Sequence, residues 1–229
     1  NSNIANVLKE NPTVPKNELE HFLVNSELTN QTQRIIGLHK NIYAWDILDT
    51  ENHWFHSSTT ETDQLDSLLD SEILDNLRTN LAFQFLGPFQ ISGEPTFVVL
   101  KSITNIDNTK YLGALVLLIK EANISSVFRN LPDSSSRYFY ITNEKRQILS
   151  SSSSKGIYED FSSYAGIDPT KYKTLAETGS QIFSINNTDF LFICKSSPAL
   201  NWKVINLIPL ENLTLDHVVI LYKIGRAHV

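Results

Sequence analysis

The chain has 229 residues, 41% apolar and 19% charged, a globular composition long enough for one large domain or two small ones and far from the disordered class. A net charge of −6 with scattered Lys and Arg excludes the basic surfaces of nucleic-acid-binding proteins. The single Cys194 excludes a disulfide framework. No methionine occurs, so Asn1 is expected not to be the natural start, and there is neither a signal peptide nor an apolar run of the roughly 18 residues that a membrane helix needs.

In chain order, residues 16–36 follow Pro12 and Pro15 and place Leu19, Phe22, Leu23, Ile35 and Ile36 on one helical stripe, with the polar Ser26 and Thr29 on the same side. "NIYAWDIL" (41–48) and "HWFHSS" (53–58), joined by "DTEN", predict a hairpin. Residues 63–81 carry leucines and isoleucines at helical spacing and predict one helix. "TFVVLKSIT" (96–104) and "YLGALVLLIK" (111–120) are rich in Val, Leu and Ile, as the centre of an antiparallel sheet requires, and "EANISSVFRNL" leads away from them as a short helix. The order then recurs. "RYFYIT" and "QILSSS" form a hairpin across "NEKR", and "GIYEDFSSYAGI" is helical. "DPTKYKTLAETG" is a helix with Asp168 as N-cap, Pro169 at its first position and Gly179 as its C-terminal stop. "QIFSI", "DFLFICK" and "WKVINLI" close the series as strands. The chain reads as two α+β modules of similar order, a repeat of architecture rather than of residues.

Motifs for catalysis are missing. His53 and His56 lie three apart in an extended stretch, on opposite faces, and cannot easily share a metal. Cys194 shares a face with Phe190 and Phe192 and reads as a buried small hydrophobe. The serine run at 150–154 has no Gly-x-Ser-x-Gly context and reads as a strand end and loop. Asp63, Asp66, Asp70, Glu72 and Asp75 fall on the polar face of a helix. The expectation is a chain that is not an enzyme and needs no cofactor or metal. Its candidate chemistry is a pocket with aromatic walls and a few polar groups. The candidates are Tyr43, Trp45, Asp46, Trp54, His56, Phe83, Phe85, Lys101 and Tyr111, with Trp54 beside polar turn residues the strongest and mid-strand Trp45 equally a core residue.

"YLGALVLLIKEANISSVF", "RYFYITNEKRQILSSS" and "FLFICKSSPALNWKVINLIPLENLT" together resemble the double Cache (dCache) sensor region of bacterial transmembrane receptors, particularly sensor histidine kinases. The likeness runs over residues 16–215. It implies a long N-terminal helix followed by two PAS-like modules, each an antiparallel sheet flanked by helices. It divides the chain into a juxtamembrane helix (1–41), a membrane-distal module (42–128), a membrane-proximal module (129–209) and an exit helix entering a second membrane span (210–223). It also implies an extracellular location at the cell membrane, a small-molecule ligand held by the distal module, and a homodimer in the full-length receptor, with no nucleic acid bound. One subset of the family takes amino acids through an Arg-x-Trp-Tyr pattern; here Arg78 is followed by "TNLAFQF", so that ligand class does not carry over. Kinase motifs do not occur in the chain, and an AraC-type regulator or a chemotaxis receptor would use the same sensor. A freestanding secreted binding protein is the alternative of another class. The apolar residues 218–222 are expected to be the first turn of a membrane helix, and 224–229, "IGRAHV", to be a non-native tail.

Overall fold

The computed structural model describes residue 5 and residues 18–36, 39–51, 54–56, 62–80, 83–105, 110–131 and 137–213. The expectations for His53, the exit helix beyond residue 213 and the tail at 224–229 fall outside these residues. Two compact units divide the chain, 1–123 and 124–229.

The first unit contains α1 (Glu18–Ile36), β1 (Ala44–Leu48), β2 (Trp54–His56), α2 (Thr62–Leu68), α3 (Ser71–Asn80), β3 (Phe83–Ile91), β4 (Glu94–Thr104) and β5 (Tyr111–Lys120). Its five strands form one antiparallel sheet in the order β2-β1-β5-β4-β3. The β1–β2 hairpin forms as expected, in the register Asp46 to His56 and Leu48 to Trp54.

Helix α1 packs Val24 and Leu28 against Trp45, Ile47, Ile103, Leu112 and Leu115, and Thr32 is buried one turn further on. Positions 24, 28 and 32 make a stripe at four-residue spacing. The expected stripe through Leu23 is therefore corrected: Leu23 points outward and is 58% exposed. Tertiary contact with the sheet, rather than the count of apolar residues, sets the rotation of this weakly amphipathic helix.

The single helix expected over 63–81 is two. Leu69 and Asp70 interrupt it, and the Asp70 carboxylate accepts a hydrogen bond from the Ile73 N–H at 2.9 Å, capping a new helix. Strand β3 has no counterpart among the expected strands. Its alternation "FQFLGPFQI" is broken by Gly87-Pro88, where the pairing with β4 slips between Leu86 and Phe89. Proline is tolerated there because β3 is an edge strand.

Helix α4 (Glu121–Arg129) carries the chain from the first unit into the second. In the first unit Asn123 Nδ2 donates to the Asn41 carbonyl at 2.8 Å. In the second, Phe128 stacks on Phe139 with ring centroids 5.3 Å apart.

The second unit contains β6 (Tyr138–Thr142), β7 (Ile148–Ser151), α5 (Phe161–Ala165), α6 (Pro169–Thr178), β8 (Ser180–Ile185), β9 (Thr188–Ser197) and β10 (Trp202–Pro209), ending in a 3-10 turn at Leu210–Asn212. Its sheet runs β7-β6-β10-β9-β8. Numbered from each unit's first strand, both sheets read 2-1-5-4-3, so the repeat of architecture is a repeat of topology. The core gathers Tyr140, Ile148, Phe161, Tyr172, Leu175, Phe192, Ile205 and Leu207 under α5 and α6. Cys194 is buried among them, and burial raises its thiol pKa, as suits an inert packing residue.

Local signals place these elements. The Asp168 carboxylate accepts from the N–H groups of Thr170 and Lys171, Pro169 opens α6, and Gly179 closes it by donating to the Leu175 carbonyl at 3.2 Å. Asn186 and Asn187 both take left-handed backbone angles (φ 48° and 65°), the type I′ geometry that closes the β8–β9 hairpin. The serine run does end a strand. Ser151 Oγ both donates to the Lys155 carbonyl and accepts from the Lys155 N–H, tying off the loop.

Two glycines allow a direct comparison. Gly93 (φ 79°), in the β3–β4 turn, has open space where a Cβ would sit; at Gly156 (φ 72°) a Cβ would lie 2.6 Å from the Tyr164 ring. Gly93→Ala should cost only the backbone term of roughly 1–2 kcal/mol. Gly156→Ala should cost clearly more, because the ring must also move. Comparing the two thermal melting curves checks the prediction, and equal losses would contradict the packing described.

Candidate functional site

Alternation along the strands gives the first sheet two chemically distinct faces. One is the face under α1. The other carries Ala44, Asp46 and Leu48 from β1, Val98, Leu100 and Ser102 from β4, and Ala114, Val116 and Leu118 from β5. Leu65, Leu69, Leu74 and Leu77 of the α2–α3 segment cover it, with Trp54 and Tyr111 packed at its margin.

Polar groups are set into this apolar layer. Asp46 is fully buried, opposite Val116 in the register. Ser102 Oγ donates to the Leu77 carbonyl at 3.0 Å, anchoring the last turn of α3 to the sheet. Trp54 Nε1 donates to the Asp66 carboxylate, so the indole is held against α2. Gln84 Nε2 reaches the Ile73 carbonyl at 3.2 Å.

At one end a charged rim closes the layer. Arg78 Nη1 pairs with Asp75 at 3.1 Å, and its Nη2 donates to the Thr50 carbonyl at 3.2 Å, tying α3 to the turn after β1. In that turn Asp49 is buried and accepts from the Glu51 N–H at 2.7 Å. The Tyr111 hydroxyl lies beside Arg78 and Asp49. Burial raises its pKa to about 12, the Asp49 charge adds to the rise, and Arg78 opposes it.

Of the nine residues singled out from the sequence, Asp46, Trp54 and Tyr111 belong to this face. Trp45 is on the other, in the core beneath α1. Phe83, Phe85 and Lys101 alternate with Gln84, Leu86 and Leu100 and also point away from α2 and α3, with Phe85 packed 5.1 Å from the Phe97 ring. Tyr43 is an exposed residue whose ring lies 5.1 Å from the Lys120 ammonium. His56 occupies the register position opposite Asp46; its side chain lies outside the described part. The nine therefore do not line a single pocket. Arg78, Asp49 and Asp66 were not singled out as pocket residues. The only trace of the rim in the sequence is the Asp75 to Arg78 spacing on one helix.

Such a face can hold a small molecule by stacking on an indole and by hydrogen bonds to buried carboxylate and hydroxyl groups. Among the described residues no three His, Cys, Asp or Glu side chains gather as a metal site, and no helix is long and apolar enough to cross a membrane.

No protein-family model matches the chain, and neither does any curated protein. Solved structures do. The ligand-binding domain of the Pseudomonas fluorescens chemoreceptor CtaA, solved with L-serine, superposes with a TM-score of 0.65 at 10% identity, covering 92% of this chain and 86% of that one. The chain has the fold of the double Cache sensor domains. The sensor domain of the V. cholerae histidine kinase DctB shares this double Cache fold (TM-score 0.55, 14% identity, 91% of this chain and 84% of that one). So does the ligand-binding domain of the Pseudomonas aeruginosa amino acid chemoreceptor PctC, solved with GABA (TM-score 0.57, 11% identity, 90% and 88%). All three double Cache neighbours are ligand-binding or sensor domains of signalling receptors.

The Tyr111 environment has a measurable consequence. A phenol whose pKa rises from 10.0 unfolded to about 12 folded contributes stability that is intact below pH 10 and is lost as pH climbs toward 12. Tyr111→Phe should therefore flatten the loss of stability across that interval and remove one late-ionising hydroxyl from the phenolate absorbance titration. A lost hydroxyl that ionises near pH 10 rather than near 12 would place Tyr111 at the surface.

Proposed function

We propose that the chain is the extracytoplasmic ligand-sensing region of a bacterial membrane receptor, a sensor histidine kinase by preference. The observation that carries this reading is the 2-1-5-4-3 sheet built twice, over nearly the whole length shared with CtaA. In this reading 42–128 is the membrane-distal module, 129–209 the proximal one, and 1–41 and 210–223 connect to flanking membrane helices of a homodimeric receptor. The same region would serve a chemoreceptor, the class to which CtaA and PctC belong.

The ligand site is the α2–α3 face of the first sheet. Around it Asp46, Asp49, Asp66 and Asp75 outnumber the one guanidinium of Arg78, which favours a small ligand carrying an amine. L-Serine and GABA, held by CtaA and PctC, both carry one. The missing Arg-x-Trp-Tyr pattern means that a ligand carboxylate would be held differently here, by Arg78 or not at all. Signalling requires only that the ligand prefer one arrangement of α2 and α3 over the sheet, since a ligand shifts an equilibrium by no more than its difference in affinity for the two states.

A thermal-shift screen of primary amines against matched carboxylates and sugars tests the reading. A true ligand should raise the melting temperature with the logarithm of its concentration. Trp54→Ala and Asp46→Asn should each weaken that response by about tenfold or more, the scale of one charge-assisted hydrogen bond. Lys101→Ala, on the other face, should leave it unchanged. A hit indifferent to Trp54→Ala and Asp46→Asn, or abolished by Lys101→Ala, would move the site elsewhere.

A further inference from the structure

The second unit contains buried polar chemistry that packing alone does not use. Tyr172 on α6 is 3% exposed and Thr142 on β6 is wholly buried. Neither Tyr172 Oη nor Thr142 Oγ1 completes a well-formed hydrogen bond among the described residues, although the two side chains adjoin. A bond between them would use one of their two protons and leave the other donor unused. Buried hydroxyls are ordinarily satisfied, and the spare donor of this pair is available to a group bound beside it.

Cationic groups converge on the same place. Lys203 on β10 is the register neighbour of Thr142, and its ammonium lies 5.8 Å from the centroid of the Tyr172 ring. Among the described residues Lys203 takes no acidic partner. Arg146, at the β6–β7 turn, adds a guanidinium, which Asp160 neutralises through a 2.8 Å contact from Arg146 Nε. Arg146 and Asp160 are both close enough to act on the Tyr172 hydroxyl. The balance is two cations against one carboxylate beside two hydroxyls. That set matches a small anion with two oxygens, one for the hydroxyls and one for the ammonium. The backbone around it is also held in uncommon conformations. Arg146 (φ 66°) and Tyr158 (φ 77°) are both left-handed, and Tyr158 is fastened by its N–H to the Ile148 carbonyl at 2.9 Å. Bulky residues keep such angles only where surrounding contacts enforce them, a circumstance that concentrates at functional sites.

We propose that the second unit carries its own binding site, formed by Tyr172, Thr142 and Lys203 with Arg146 at its edge, for a short-chain carboxylate anion. This site is separate from the amine site of the first unit and does not depend on it. Lys203 neutralises the carboxylate, while the Tyr172 and Thr142 hydroxyls donate to it.

The test uses the full chain titrated with sodium acetate against sodium chloride at matched ionic strength, read by calorimetry and by thermal shift. Acetate should give a saturable signal that chloride does not. Tyr172→Phe, which keeps the ring and removes the hydroxyl, and Lys203→Gln, which keeps the stem and removes the charge, should each weaken acetate binding about tenfold. Should Tyr172→Phe fail to fold, the half-exposed Lys203 position still provides the test. Trp54→Ala should bind acetate as the parent does, which separates this site from the one in the first unit. An acetate response no greater than that of chloride, or one unaltered in both Tyr172→Phe and Lys203→Gln, overturns the proposal.

Discussion

Strand β1 has no face toward water: Ala44, Trp45, Asp46, Ile47 and Leu48 are all buried. It is sandwiched between α1 on one side and the α2–α3 segment on the other, and paired along both edges with β2 and β5. A strand in that position assigns every neighbouring residue to one of two cores, because side chains alternate with a period of two and a one-residue slip would exchange all of them. Trp45 and Ile47 go beneath α1, and Asp46 and Leu48 go beneath α2 and α3. The functional reading of the first unit depends on this sorting. It separates an aromatic layer that is structural from a face where a carboxylate, an indole and a phenol are set among leucines.

That face is held by contacts that are individually modest and mutually dependent. Ser102 ties the end of α3 to β4, Arg78 ties it to the turn after β1, and Asp66 holds the indole of Trp54. Each bond joins the α2–α3 segment to the sheet or to the hairpin, and Asp70 caps the break between α2 and α3. Two short capped helices over a sheet can shift with less disruption than one continuous helix.

The second unit repeats the topology with different chemistry. Its core is more aromatic, with Tyr140, Phe161, Tyr172, Phe183 and Phe192 in edge-to-face or tilted contact, and its turns are fixed by Asp caps and left-handed asparagines. At the Asp160 cap partial burial acts to raise the carboxyl pKa, and the Arg146 guanidinium with the Ser163 N–H more than offsets it, so the net shift is downward. Where the first unit gathers carboxylates around one guanidinium, the second gathers cations around hydroxyls. One topology thus presents two sets of polar groups, and the chemistry of each resides in its side chains rather than in its fold.

The order of elements was legible from local signals alone. The β1–β2 and β6–β7 hairpins, the Asp168–Pro169–Gly179 helix, the buried Cys194 and the closing strands all follow from periodicity, caps and turn residues, whose physics acts within a few residues. Three features were not legible, each for a distinct reason. Strand β3 was hidden because Gly87-Pro88 interrupts its alternation, and only pairing with β4 restores it on both sides of the slip. The rotation of α1 was hidden because its apolar positions are spread around the helix in sequence, and contact with Trp45 and Leu115 selects Val24 and Leu28. The membership of the α2–α3 face was hidden because composition names aromatic and charged residues without saying on which side of a sheet they fall. The sequence by itself determined the elements and the candidates. Pairing register and two-sided burial decided that Asp46, Trp54 and Tyr111 share a face while Trp45, Phe83, Phe85 and Lys101 do not, because a sheet covered on both faces divides its residues by parity rather than by kind.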